Sequence, residues 1–225
     1  MLNASEKVAH VVLDHSECAE VFQRYRIDFC CGGDISVERA AHDKGVDVAV
    51  LVRELDAAIR ARHEGSDAHP KDLPTSALVR HIVDTHHAYL RRTLPFLLPL
   101  AAKVARVHGE RNAKLRALSD TLTTLAKTLY SHLDDEELNL FPLLLTDGEQ
   151  ARKDALLASM LEEHLSVAKL LEELRAAADD YTLPDWACNS YKALFSELAA
   201  LEKDIFTHVH LENHVLRPRF GGAPS

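Results

Sequence analysis

Two histidines are each followed by a glutamate four residues later, inside stretches that read as helix. His132 and Glu136 lie in SHLDDEELNLFP, and His208 and Glu212 lie in THVHLENHVLRP. Four residues is just over one helical turn, so each pair shares a face, with Cβ atoms roughly 5–6 Å apart. The apolar neighbours select the same face. Leu129, Leu133, Leu140 and Leu143 surround the first pair, and Ile205, Val209, Leu211 and Leu216 the second. One such pair is ordinarily a surface ion pair worth a few tenths of a kcal/mol. Two of them on alternate helices, facing inward, are costly unless a partner compensates the buried polar groups, and a metal ion is such a partner.

The remaining long helices each offer a matching histidine. The third carries His164 in MLEEHLSVAKLLEEL, and the first carries His86 and His87 in RHIVDTHHAYL, with His81 earlier in the same run. Neighbouring residues on a helix point about 100° apart, so His86 and His87 cannot both face one metal. The apolar stripe through Ile82 or Val83, Leu90, Leu94 and Leu97 favours His87 without eliminating His86. Four His and two Glu from four helices build a dinuclear site, with Glu136 and Glu212 as bridges. Imidazole and carboxylate suit iron, and no Cys falls among these positions. Ferritin-like sites use Glu-x-x-His pairs and more carboxylates, so that alternative is disfavoured. The His-Glu-x-x-His zinc motif is absent.

The chain has 14 His, and the others have simpler expectations. His10, His15, His42, His63, His69 and His108 read as solvated, and His81 as a packed core side chain. His210 and His214 fall on the polar side of the fourth helix or near its end, with a place just behind the ligands as the alternative.

Ala, Leu, Glu, Lys and Arg dominate, β-branched alternation is nearly missing, and only eight Gly and eight Pro punctuate the chain. An all-α protein is expected, with a C-terminal four-helix up-down bundle and a small helical N-terminal domain. Polar, Pro-containing residues 63–74 separate residues 1–62 from a bundle at 75–220. The first bundle helix should open at Thr75 or Ser76 and run to about Val107, kinked or broken at Pro95 and Pro99. The second spans about Ala113–Leu145, disturbed at Pro142, and Asp147-Gly148 turns the chain. The third covers about Glu149–Ala178. Pro184 suits the first turn of the fourth, which ends near Leu216, before Pro218 and Gly221-Gly222.

With 26 Lys and Arg against 35 Asp and Glu, the net charge of -9 argues against nonspecific nucleic-acid binding. No apolar run reaches the length of a membrane span, and Met1 to His15 lacks the apolar core of a signal peptide. A cytoplasmic protein is expected. Four cysteines, Cys18, Cys30, Cys31 and Cys188, are too few and irregular for a disulfide framework.

The segment YRIDFCCGG, Tyr25 to Gly33, is the most distinctive outside the bundle. Gly32 and Gly33 should end a short helix over about Cys18–Phe29 through a left-handed turn. Adjacent cysteines bridge one another only under strain, so no structural disulfide is expected between Cys30 and Cys31. A partly exposed thiol pair there is either redox-active, metal-binding or simply two small packing residues.

These features together resemble the repair-of-iron-centres family, hemerythrin-like di-iron proteins associated with mending iron–sulfur clusters after nitrosative and oxidative stress. The resemblance covers nearly the whole chain, through YRIDFCCGG and ERAAHDKGVDV, then HIVDTHH, SHLDDEELNLFP, EEH and HVHLENHVLRP. It implies His87, His132, Glu136, His164, His208 and Glu212 as ligands of two oxo-bridged iron ions, with His87 chosen over His86. It also implies Glu163 as a residue on an iron path. Thr128 stands where some relatives are acidic, Arg217 where the final Leu-Phe-Pro has its Phe, and His214 where Asn is common. Implied partners are damaged iron–sulfur proteins, supplied with iron, or nitric oxide, bound or reduced at the iron pair. An oxygen-binding or sensing module is the further alternative, and the thiols argue against it. A homodimer is compatible with the same features.

Overall fold

The computed structural model describes residues 2–61 and 70–221, so residues 63–69 of the expected linker, with His63 and His69, lie outside the described residues, as does Gly222. Among the described residues the fold is all-α, with no strand beyond an isolated bridge between Lys7 and Ser36. No helix there is long and apolar enough to cross a membrane. The chain divides into two compact units, Met1–Arg80 with Phe206–Ser225, and His81–Ile205.

The first unit opens with four short helices, α1 (Val8–Asp14), α2 (Cys18–Arg24), α3 (Val37–Asp43) and α4 (Val48–Ala61). Their apolar faces close on one core containing Val8, Val11, Phe22, Phe29, Val37, Leu51 and Leu55, all essentially inaccessible. Ser36 caps α3 by accepting the Arg39 N–H at 3.1 Å, satisfying a donor left over at the helix start. Helix α5 (Thr75–His81) as far as Arg80 and the segment from Phe206 belong to the same unit. Arg219 ties the chain end to the residues before α5, donating to the carbonyls of Leu73 at 2.8 Å and Lys71 at 3.0 Å.

Helix α2 stops at Arg24, not Phe29, and Arg26 takes the left-handed conformation expected of the glycine pair, at φ +55°. The glycines serve a different purpose. The loop returns to the start of α1, where the carbonyls of Gly33 and Ile35 accept the N–H groups of Ala9 and Val8 at 2.9 and 3.0 Å. A Cβ at Gly33 would stand 2.6 Å from the Phe29 oxygen and 2.8 Å from the Ala9 Cβ. Gly33→Ala is therefore expected to cost about 1–3 kcal/mol in urea unfolding, as for other overpacked sites. A value near zero would show that the loop can move away from α1.

The second unit holds a four-helix up-down bundle made of α6 (Ala88–His108), α7 (Lys114–Asp135), α9 (Gln150–Ala177) and α10 (Asn189–Leu211) up to Ile205. A short α8 (Phe141–Leu144) follows α7. Cross-helix bonds fix the antiparallel order. Arg91 near the start of α6 binds Asp134 at the end of α7 at 2.8 Å, and Lys114 at the start of α7 meets Asp179 just past α9. Arg175 of α9 grips buried Glu202 of α10, and Asn112 beyond α6 donates to the Tyr191 hydroxyl at 3.1 Å.

Each bundle helix carries a buried stripe stepping by three and four residues, the spacing of an inward face. On α6 it runs Leu90, Leu94, Leu97, Ala101, Val104; on α7, Leu118, Leu122, Leu125, Leu129; on α9, Leu157, Met160, Val167, Leu171, Leu174; on α10, Leu194, Leu198, Leu201, Ile205. Pro95 and Pro99 lie inside α6, which continues through both. Both face solvent, so water can bond the carbonyls that lose their N–H partners while the buried stripe holds the helix together. The fourth helix starts at Asn189, leaving Pro184 in the connection. That connection instead passes through three consecutive left-handed residues, Asp179, Asp180 and Tyr181, at φ +49° to +60°.

Candidate metal centre

The buried stripes lead directly to the sequence-predicted ligands. On α7 the steps from Leu125 and Leu129 continue to His132 and Glu136; on α9 His164 falls between Met160 and Val167; His87 stands three before Leu90. On α10 the steps from Leu201 and Ile205 continue to His208 and Glu212. All six occupy positions that hydrophobic side chains hold elsewhere in the same stripe, and none is more than 2% exposed.

Three of these positions are marked by a widened helical turn. The ladder passes into a π-helix at Ile82–His87, at Glu136–Leu140 and at Glu212–Leu216. Such turns insert one residue into the helical register and recur at functional sites. The second and third share a pattern. Each begins at the glutamate four after a histidine, includes a leucine at Leu140 or Leu216, and precedes a proline, Pro142 or Pro218. Each proline removes one N–H from the ladder just past the widened turn.

Within the bundle unit His87, His132, Glu136 and His164 come together. The Nε2 of His87 is 3.3 Å from Glu136 Oε2, and that of His132 is 3.4 Å from the same oxygen. His132 Nε2 also lies 3.3 Å from His164 Nε2. The outer nitrogens set the tautomers. His132 Nδ1 donates to Glu163 Oε2 at 2.8 Å, and His87 Nδ1 to Glu137 Oε1 at 2.9 Å. A carboxylate only accepts, so each Nδ1 carries the proton and each Nε2 turns a lone pair toward Glu136. Lone-pair nitrogens converging on a buried carboxylate oxygen are the arrangement a cation reconciles, and this imidazole–carboxylate donor set fits iron. In the other unit His208 Nε2 and Glu212 Oε1 form a buried pair at 2.8 Å.

His86, the alternative on the first helix, is also buried but turns to Asp204 of α10, Nδ1 to Oδ1 at 2.9 Å. His81 is not a core side chain; it is half-buried, its ring edge-on to His86. Glu163, expected on an iron path, is the acceptor that orients His132, and that bond holds its carboxyl below the usual range. Glu137 and Asp204 play the corresponding parts for His87 and His86 and were missed. Nothing in linear spacing shows which of several acidic neighbours will face an imidazole across the bundle.

The thiol loop differs from expectation as well. Cys30 is buried at 3% exposure and Cys31 half-buried; neither is in a disulfide, and their sulfurs are 3.5 Å apart. Asp28 organises the loop, accepting the N–H groups of Cys30, Cys31 and Gly32 at 2.8–3.0 Å. Burial first, then the bond with Cys31 and the Asp28 charge, hold the Cys30 thiol well above its ordinary range. His210 and His214 are not on a polar side: both are buried. His210 Nδ1–H donates to the Phe29 carbonyl at 3.0 Å, while Asn213 Nδ2–H and His214 Nε2–H donate to that of Cys30, each at 2.9 Å. Burial, then neighbouring His214, push His210 down to about 3, so it is neutral.

Residues 78–220 match the hemerythrin HHE cation binding domain, and residues 4–59 match a domain of unknown function, DUF542. The iron-sulfur cluster repair protein ScdA of Staphylococcus haemolyticus is 33% identical over 98% of this chain and 100% of its own length. The iron-sulfur cluster repair proteins YtfE of Escherichia coli O157:H7 and of Edwardsiella ictaluri are 31% and 35% identical. They cover 97% and 88% of this chain, and 98% and 89% of their own. The chain belongs to the hemerythrin HHE cation-binding family, among the members named as iron–sulfur cluster repair proteins.

Proposed function

We propose that this protein repairs iron–sulfur clusters damaged by nitrosative or oxidative stress, acting as an iron donor to damaged iron–sulfur proteins. The observation that carries the reading is the convergence of His87, His132 and His164 on buried Glu136, with two of the imidazoles locked as Nε2 donors. His208 and Glu212 repeat the His132–Glu136 motif, down to the widened turn and the following proline. On that likeness they complete the set. The six side chains would hold two iron ions, with the carboxylates of Glu136 and Glu212 shared between them. When bound, the irons supply a transferable, redox-active metal store. The chain's own residues exclude water from it and hold His87 and His132 in their donor tautomers.

Anaerobic recovery of a nitric oxide-damaged iron–sulfur enzyme tests the reading, with nitric oxide consumption followed beside it. Iron-loaded protein should restore cluster and activity while losing its own iron. Nitric oxide consumption with no recovery would overturn iron donation. The first-helix ligand is tested by substitution. His86→Ala should keep its full iron content, because His86 is engaged by Asp204, whereas His87→Ala should lose about half. The reverse pattern in iron content and visible spectra would reassign the ligand.

A further inference from the structure

Glu136 and Glu137 are neighbours at the start of one π turn, and their side chains go separate ways. Glu136 turns into the bundle at 2% exposure, while Glu137 lies at the edge, its side chain 30% exposed. Glu137 Oε1 accepts the Nδ1–H of His87 at 2.9 Å. The same oxygen accepts from the Arg91 guanidinium at 3.1 Å, and Arg91 also binds Asp134 at 2.8 Å. Arg91 lies on α6 one turn beyond His87, so the helix that supplies the imidazole also supplies the cation that fixes its acceptor. A buried ring is thus steered from the surface through one carboxylate. His132 is served by Glu163, which accepts in addition from the Ser159 hydroxyl at 3.4 Å.

We propose that Glu137, fixed by Arg91, is a positioning residue for the metal centre. It holds the His87 ring so that Nε2 faces the ion and, through its charge, strengthens that nitrogen as a donor. This rests on the metal reading given above. Carboxylates that accept from a ligating histidine fix its tautomer and raise its basicity, and their loss typically costs 10–100-fold in metal affinity. Arg91 contributes by restricting the carboxylate to one rotamer.

The test uses the full iron-loaded chain, reduced with dithionite and held anaerobically with excess ferrous chelator, and follows ferrous iron release with time. Glu137→Ala should release its more labile iron about 10–100-fold faster than wild type. Glu137→Gln keeps an oxygen that accepts the Nδ1–H but lacks the charge, so it should fall between the two. Arg91→Ala should also be faster, by less than Glu137→Ala. Mössbauer spectra of the loaded proteins should show one iron site altered in Glu137→Gln and the other unchanged. Melting of the metal-free proteins is the control for a merely structural role. Release from Glu137→Ala and Glu137→Gln at the wild-type rate would overturn the inference, as would release that tracks metal-free melting across the variants. Wild-type chain that takes up no iron would instead overturn the metal reading itself.

Discussion

Replacing Glu136 or Glu212 with leucine is expected to abolish the paired iron and, in the same molecule, to raise the melting temperature of the metal-free protein. Glu136 is 2% exposed and Glu212 fully buried, and both continue stripes of leucine and isoleucine. Leucine has a similar volume and belongs to the stripe by pattern. Exchanging buried ionic groups for packed apolar ones is often neutral or stabilising by about 1–4 kcal/mol. For a chain of this size each kcal/mol moves the midpoint by about 2–4 °C. Iron behaves in the opposite sense. A bridging carboxylate serves both ions, so its loss removes the coupled pair, whereas loss of a terminal histidine leaves one ion in place. A coupled pair persisting in the Mössbauer spectra of both glutamate variants would refute the bridge assignment. A lower metal-free midpoint would show that the carboxylates are well accommodated without an ion. Gain in stability with loss of metal is the signature of a functional residue in a core position.

The same stripes explain why so much was legible in the sequence. A three-and-four period of leucines defines an inward face, and a His or Glu falling on that period must go inside with them. His132, Glu136 and His164 could therefore be placed by counting, while on the first helix counting favoured His87 and left His86 open. What counting could not give is the local departure from ideal helix. The widened turns at Ile82–His87, Glu136–Leu140 and Glu212–Leu216 have the composition of ordinary helix. The prolines misled for a related reason. Pro95 and Pro99 lie on the wet face of α6, where a missing N–H is tolerable, and a sequence does not state which face is wet. Gly33 was recognised as special but for the wrong cause, since close approach to Phe29 and Ala9, not a positive φ, demands it. The largest gap was long-range. His210 and His214 looked polar-facing because their partners, the carbonyls of Phe29 and Cys30, are more than 180 residues away in the chain.

Those contacts set the last expectation, that Asn213→Ala combined with His214→Ala exposes Cys30 without unfolding the protein. Both side chains donate to the one carbonyl of Cys30, and both lie in the π turn that begins at Glu212. Removing the donors leaves a buried carbonyl without these partners, at about 1–3 kcal/mol. Each 1.4 kcal/mol is a factor of ten in an equilibrium, so local opening of the loop should become about 10–100-fold more frequent. Alkylation rates, read cysteine by cysteine by mass spectrometry, report this directly. Exposed Cys188 gives the unhindered rate, and buried Cys18, whose sulfur lies 3.9 Å from the Leu55 carbonyl, reports on opening of the helical core. In wild type Cys188 should react first and Cys30 should be strongly protected. In the double variant Cys30 should accelerate by about 10–100-fold while Cys18 stays protected. If Cys30 and Cys18 accelerate together, the hydrogen bonds support the whole small core. If neither changes, the loop is held by Phe29, whose ring packs against Phe206 at 5.6 Å and His210 at 5.5 Å between centroids. Selective release of Cys30 would establish that the turn carrying Glu212 also determines whether the thiol loop is open.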